Sequence, residues 1–170
     1  MKEILAPCGG YESLKAALNS GADAVYVGMK HFSARKNAEN FSDEELKTAV
    51  EECHKRGVKL YVTLNTLVYD SELEELAQCI RTAAECDVDG LIMQDLGAAA
   101  LSKEICPELP RHASTQMTLN SVSGVKAAEK LGYTRVVLGR ELSKDEIDEI
   151  AENTRLQLEV FVHGALCVSV

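Results

Sequence analysis

Residues able to do chemistry recur at one kind of place in this sequence, just after short apolar runs. Cys8, Gly9 and Gly10 follow the first run, and Lys30, His31, Ser33, Arg35 and Lys36 follow the second. Asn65 and Thr66 follow the third, and Gln94 and Asp95 the fourth. His112 leads into Ser114-Thr115-Gln116, then come Gly139-Arg140-Glu141, and last His163-Gly164-Ala165-Leu166-Cys167. His163 and Cys167 form an H-x-x-x-C pair, which suits two metal ligands or a Cys–His nucleophile. A zinc site needs a second such pair and the sequence supplies none nearby; HExxH and G-x-S-x-G are absent too. Arg35 and Arg140 carry paired donors that suit an anionic group, and the cationic stretch around Lys30 suits one as well. Gly9-Gly10 before a helix could receive a phosphate, although two adjacent glycines are a weak signal. Each residue also has a plainer reading. His112 and His163 would then be packed histidines, Asn65 and Gln94 would bond loop backbone, and Arg140 and Glu141 would be a solvated ion pair.

The elements that must position these residues alternate. Strand patterns lie at Glu3–Ala6, Ala24–Val27, Val58–Leu64, Gly90–Met93, Arg111–Ala113, Arg135–Leu138 and Leu156–Val162. Helical patterns separate them. Leu14, Ala17 and Leu18 share one face, as do Leu46, Ala49, Val50 and Cys53, and as do Leu73, Leu76, Ala77 and Ile80. Ser42 with Glu45 and Ser143 with Glu146 are capping boxes, with Phe41/Leu46 and Leu142/Ile147 at staple spacing. Gly21, Gly57 and Gly132 stand where helices end in a left-handed residue. Strict βα alternation demands a parallel sheet covered by helices. G-x-G-x-x-G is missing after the first strand, which argues against an open dinucleotide-binding sheet. The remaining α/β architecture is a (β/α)8 TIM barrel, in which reactive residues gather where strands end. Such a barrel takes about 250 residues, so a single truncated barrel of about seven strands and six helices is expected over residues 1–170.

Composition narrows the function classes. The 170 residues carry 18 Lys+Arg against 27 Asp+Glu, a net charge of −9, with 46% hydrophobic residues. That excludes disorder, and the acidic balance weighs against this segment gripping nucleic acid alone. No apolar run approaches the roughly 18 residues of a membrane span, and no secretory signal opens the chain, so a cytoplasmic location is expected. The six cysteines, none in a CxxC pair, read as thiols. Cys53 and Cys79 fall on apolar helical faces and read as core.

Several motifs together resemble one family. Leu5-Ala6-Pro7-Cys8-Gly9-Gly10, the stretch Gly21-Ala22-Asp23-Ala24-Val25-Tyr26-Val27-Gly28 and Phe32-Ser33-Ala34-Arg35 are similar to peptidase family U32, the collagenase-like proteases. So are Gln94-Asp95-Leu96-Gly97, His112-Ala113-Ser114-Thr115-Gln116-Met117, Arg140-Glu141-Leu142-Ser143 and the closing run from Glu159 to Cys167. The resemblance implies a barrel catalytic domain. It also implies relatives that hydroxylate transfer RNA, ribosomal RNA or ubiquinone precursors, some holding an iron–sulfur cluster on four cysteines. Cys167 matches the first signature cysteine and is the expected metal ligand. The next lies beyond Val170, and Cys8 stands where many relatives have alanine.

Three readings follow. In the first, this is the N-terminal part of an RNA- or quinone-modifying enzyme, whose longer form holds a cluster and takes an RNA or small-molecule substrate. His112, Gln116, Arg140 and His163 then line the catalytic cavity, and Arg35, Asn65 and Gln94 bind substrate. In the second it is a peptidase, and in the third a non-catalytic partner. The 170 residues alone are expected to be inactive and without cofactor, and their unpaired strand edges invite homo-oligomers.

Overall fold

The computed structural model describes residues 2–35 and 38–163. The chain divides after Leu109 into two compact units, within what the sequence reads as one domain. The first unit runs β1 (Leu5–Cys8), α1 (Tyr11–Asn19), β2 (Ala24–Gly28), α2 (Asp43–His54), β3 (Lys59–Leu64), α3 (Leu73–Glu85), β4 (Gly90–Met93) and α4 (Leu96–Ile105). The second runs β5 (Arg111–Ala113), α5 (Val122–Leu131), β6 (Arg135–Val137), α6 (Lys144–Glu152) and β7 (Gln157–Glu159). Within each unit successive strands pair in parallel. Seven strands and six helices in this order are the βα units of a partial TIM-type barrel, as the alternation predicts.

Local signals explain most boundaries. Ser42 Oγ accepts from the Glu45 amide at 3.3 Å, and Glu45 accepts from the Ser42 amide at 2.8 Å, completing the first capping box. Ser143 and Glu146 do the same at the start of α6. Gly21, Gly57 and Gly132 adopt φ of 81°, 70° and 88°, conformations that cost a side-chain-bearing residue strain. Leu14, Leu18, Leu46, Val50, Cys53, Leu76 and Ile80 are buried, as their helical spacing predicts.

Two strands differ from the expectation by more than one residue at an end, and one helical residue differs in burial. The sequence ends β1 at Ala6, yet the strand runs from Leu5 through Pro7 to Cys8. Among the described residues β1 pairs only with β2, and a proline fits a strand side that donates no ladder bond. β7 shrinks from the expected Leu156–Val162 to Gln157–Glu159. Leu73, expected in the core, is 39% exposed. It is the first residue of α3, a full turn ahead of Leu76, and the buried stripe begins only there. No described helix is long and apolar enough to cross a membrane.

Candidate functional site

In a parallel pair, residues in register project to the same face of the sheet. In the first unit register links Leu5, Ala24 and Lys59; two residues on it links Pro7, Tyr26, Tyr61 and Gly90, and two further on Gly28, Thr63 and Ile92. Apart from Thr63 and Lys59, whose ammonium pairs with Glu3 at 3.1 Å, that face is apolar and aromatic: Ala24, Tyr61 and Ile92 form a buried cluster, with Leu5 and Tyr26 packed against it. Register in the second unit aligns His112, Arg135 and Gln157, with Val137 beside Glu159 two residues on. Here the face is charged. His112 is 4% and Arg135 7% exposed. Arg135 donates from Nε and Nη2 to Gln157 Oε1 at 3.0 and 2.7 Å, and its Nη1 lies 3.5 Å from Glu159 Oε2.

The loops that follow the strands differ in the same sense. In the first unit they bond to themselves. Ser13 Oγ accepts from the amides of Gly9 and Gly10, at 2.9 and 3.1 Å, and donates to Gly10 O. The amides expected to receive a phosphate are therefore already taken. A Cβ on Gly10 would strike the Glu39 carboxylate, which occupies that spot with negative charge. Ser33 and Thr63 hydroxyls bond at 2.9 Å, and Asn65 Oδ1 accepts from the Ala34 amide at 3.1 Å. Asn65 thus bonds loop backbone, the plainer of its two readings. Arg35 lies over the Tyr26 ring at 5.3 Å, and its Nη1 is buried with no hydrogen-bond partner. His31 is tied to Glu75 at 2.8 Å, which takes the imidazole out of the expected cationic stretch. Gln94 is half-buried beyond β4, beside Asp95, whose carboxylate caps α4 by accepting from Ala98.

In the second unit Ser114, 1% exposed, caps a short turn over 115–117 by accepting from the Gln116 amide. Thr115 Oγ1 donates to Leu138 O at 3.5 Å, tying this loop to the end of β6. Gln116 Oε1 and Asn120 Oδ1 are buried with no hydrogen-bond partner. Arg140 lies over the Phe161 ring at 5.7 Å, a planar pairing in place of a simple solvated charge. His163 is exposed at the end of the described chain, and Cys167 lies outside the described residues.

Burial disfavours the nucleophilic thiolate form of Cys8, Cys53 and Cys79. Burial pushes Cys8 up to about 11, against the pull of Arg35, and pushes Cys53 up to about 12 and Cys79 to about 11. Among the described residues no three metal-binding side chains come together. The described cysteines therefore do not fit a four-cysteine cluster.

The structure thus sets His112 within β5 and Gln116 in the loop that follows, on either side of Ser114, with Arg140 in the loop beyond β6. Arg35 and Asn65 meet in the first unit around residues 33–35. Sequence reasoning missed Asn120, Arg135, Gln157 and Glu159. A polar alternation in the last three strands signals the latter three; nothing local marks Asn120, which is placed by its contact with Gly139.

Residues 9–170 match the pattern of peptidase family U32. The chain is 36% identical over 167 residues to tRNA hydroxylation protein P1 of Bacillus subtilis, covering 98% of this chain and 40% of that protein. It is 40% identical over 167 residues to the 23S rRNA 5-hydroxycytidine C2501 synthase of Escherichia coli, covering 98% and 25%. It is 35% identical over 180 residues to a collagenase of Porphyromonas gingivalis, covering 99% and 43%. This chain therefore spans less than half the length of each. Among solved structures, a U32 peptidase superposes with a TM-score of 0.75 at 15% identity, over 94% of this chain and 68% of that one. The chain belongs to peptidase family U32.

Proposed function

We propose that this chain is the barrel part of an RNA-hydroxylating protein and that the second unit presents its substrate-facing surface. The observation that carries the reading is the match to relatives named for tRNA and rRNA hydroxylation, at 36% and 40% identity over nearly the whole chain. The geometry supports it. A face built from His112, Arg135, Gln157 and Glu159, with carboxamides and Arg140 at its loop end, offers hydrogen bonds and a planar cation. Arg140 would hold a phosphate oxygen through its paired donors, and Gln116 would bond the base. The chain's negative charge leaves long-range phosphate attraction weak, so the rest of the longer protein would share RNA binding. Among the cysteines of this chain, Cys167 is the one that would ligate an iron–sulfur cluster.

A peptidase reading needs an activated nucleophile. Burial holds the Cys8, Cys53 and Cys79 thiols protonated at neutral pH, which disfavours those three.

A chimaera tests the proposal: this chain replaces the matching segment of the Bacillus subtilis protein in a strain lacking that protein. Mass spectrometry of tRNA nucleosides should show hydroxylation restored. A soluble chimaera that leaves tRNA unhydroxylated, while the intact protein restores it, would overturn the reading.

A further inference from the structure

Four large apolar side chains of the first unit stand in solvent at the end of the sheet where β3 and β4 finish. Leu67 is 71%, Tyr69 75% and Leu96 56% exposed, with Leu73 less so. A lone exposed leucine needs no explanation, but register and sequence make these neighbours. Leu64 and Met93 pair, so the loops beyond β3 and β4 leave the sheet side by side. Leu67 and Leu96 each lie three residues past that pair. Leu73 and Leu96 open α3 and α4, which pack together.

The loops that carry them are held in place. The Ala34 amide donates to Asn65 Oδ1 at 3.1 Å, the Tyr69 amide to Glu72 Oε2 at 2.8 Å, and the Ala98 amide to Asp95 Oδ1 at 2.8 Å. His31 Nδ1 lies 2.8 Å from Glu75 Oε1, which ties the preceding loop to α3. A surface already ordered loses little freedom when something settles on it.

Charge decides what can settle there. Residues 65–75 and 94–98 hold Asp70, Glu72, Glu74, Glu75 and Asp95, and no lysine or arginine. Glu72, Glu75 and Asp95 make the local bonds just given, while Asp70 and Glu74 stand exposed. An acidic rim repels RNA phosphates and anionic lipid headgroups. A second copy would bring the same carboxylates face to face, in a chain of net charge −9. Contiguous exposed apolar groups inside a polar rim mark a protein-binding surface, and this rim selects positive charge.

We propose that this end of the first unit docks a basic polypeptide segment. Its apolar side chains settle among Leu67, Tyr69, Leu73 and Leu96, and its lysines or arginines face Asp70 and Glu74. Such docking is independent of RNA binding by the second unit.

The test is a titration of the uniformly nitrogen-15-labelled chain with a short amphipathic peptide of leucine and lysine, read at every backbone amide. Oligolysine of equal length, the same peptide with glutamate in place of lysine, and a single-stranded RNA serve as comparisons. The leucine–lysine peptide should shift residues 67–75 and 95–98, oligolysine should do so far more weakly, and the glutamate peptide and the RNA should leave them still. Two double variants, Leu67→Ser with Leu96→Ser and Asp70→Asn with Glu74→Gln, change exposed positions, and the rest of the spectrum reports their fold. Each should weaken binding of the leucine–lysine peptide about tenfold. Four results would overturn the inference: no shift at these residues, equal shifts with oligolysine or RNA, full affinity in both variants, or shifts there on changing the chain's own concentration, which would make the occupant a second copy.

Discussion

The two units use the same βα grammar but spend their equivalent sheet faces differently. In the first, one face packs Leu5, Ala24, Tyr61 and Ile92 as a cluster, with Lys59 paired to Glu3 at its edge, and the loops beyond bond to themselves through Ser13, Ser33, Thr63 and Asn65. In the second, the corresponding face carries His112, Arg135, Gln157 and Glu159, and the loops beyond leave carboxamides unmet. Apolar burial stabilises the first arrangement directly. Charge burial in the second has a desolvation cost that packing alone would not select for. The difference teaches that scaffold and working surface can sit in one repeating fold and be told apart by what their strands bury.

The largest effect should come from the charged face. Arg135→Met removes the buried guanidinium that lies 3.5 Å from Glu159 and bonds Gln157, and should lower unfolding free energy by about 3 kcal/mol in urea melts. Its counterpart in the first unit, Tyr61→Phe, removes a long bond of 3.4 Å to Glu3 and should cost about 0.5 kcal/mol. Equal costs would erase the contrast. Gly139→Ala forces a methyl group against Asn120 and should cost about 2 kcal/mol by the same melts, together with weaker RNA binding. Ser42→Ala and Ser143→Ala remove one cap from each unit and should each cost about 1 kcal/mol. Because they lie outside the charged face, RNA affinity should not move.

The smallest effect is a pH response. Cys8 and Cys79 sit at about 11 when folded, against 9.0 as unperturbed thiols. The folded state therefore keeps protons that the unfolded state releases, and stability should fall as pH climbs from 9 toward 11. Replacing both with alanine should lessen that fall in pH-dependent melts, and the remainder should follow Cys53, whose thiol is pushed up to about 12. The same burial predicts slow alkylation of both thiols at pH 8.

How much of this could be read beforehand follows from the range of each signal. Capping boxes at Ser42 and Ser143 and the left-handed glycines are local, and the sequence states them outright. Pro7 misled because its usual meaning, a strand end, depends on whether a neighbour needs its missing amide. Leu73 misled because helical spacing says which residues share a face and not how far that face stays covered. His112, Gln116 and Arg140 fall in one unit, His112 inside β5 and the other two in the loops beyond β5 and β6, and their roles stand as expectations. Asn120 was not legible, because its meaning comes from Gly139, a residue nineteen positions away. His163 and Cys167 keep their reading as expectations, the first exposed at the end of the described chain and the second outside it.

The central claim is that the second unit, not the first, meets RNA. A titration of the labelled chain with a short single-stranded RNA, read at every backbone amide, tests it most directly. Shifts concentrated at residues 112–121 and 139–141, with residues 9–10 and 28–34 unmoved, are the predicted result. Shifts confined to the first unit, or none at RNA concentrations up to the millimolar range, would contradict it.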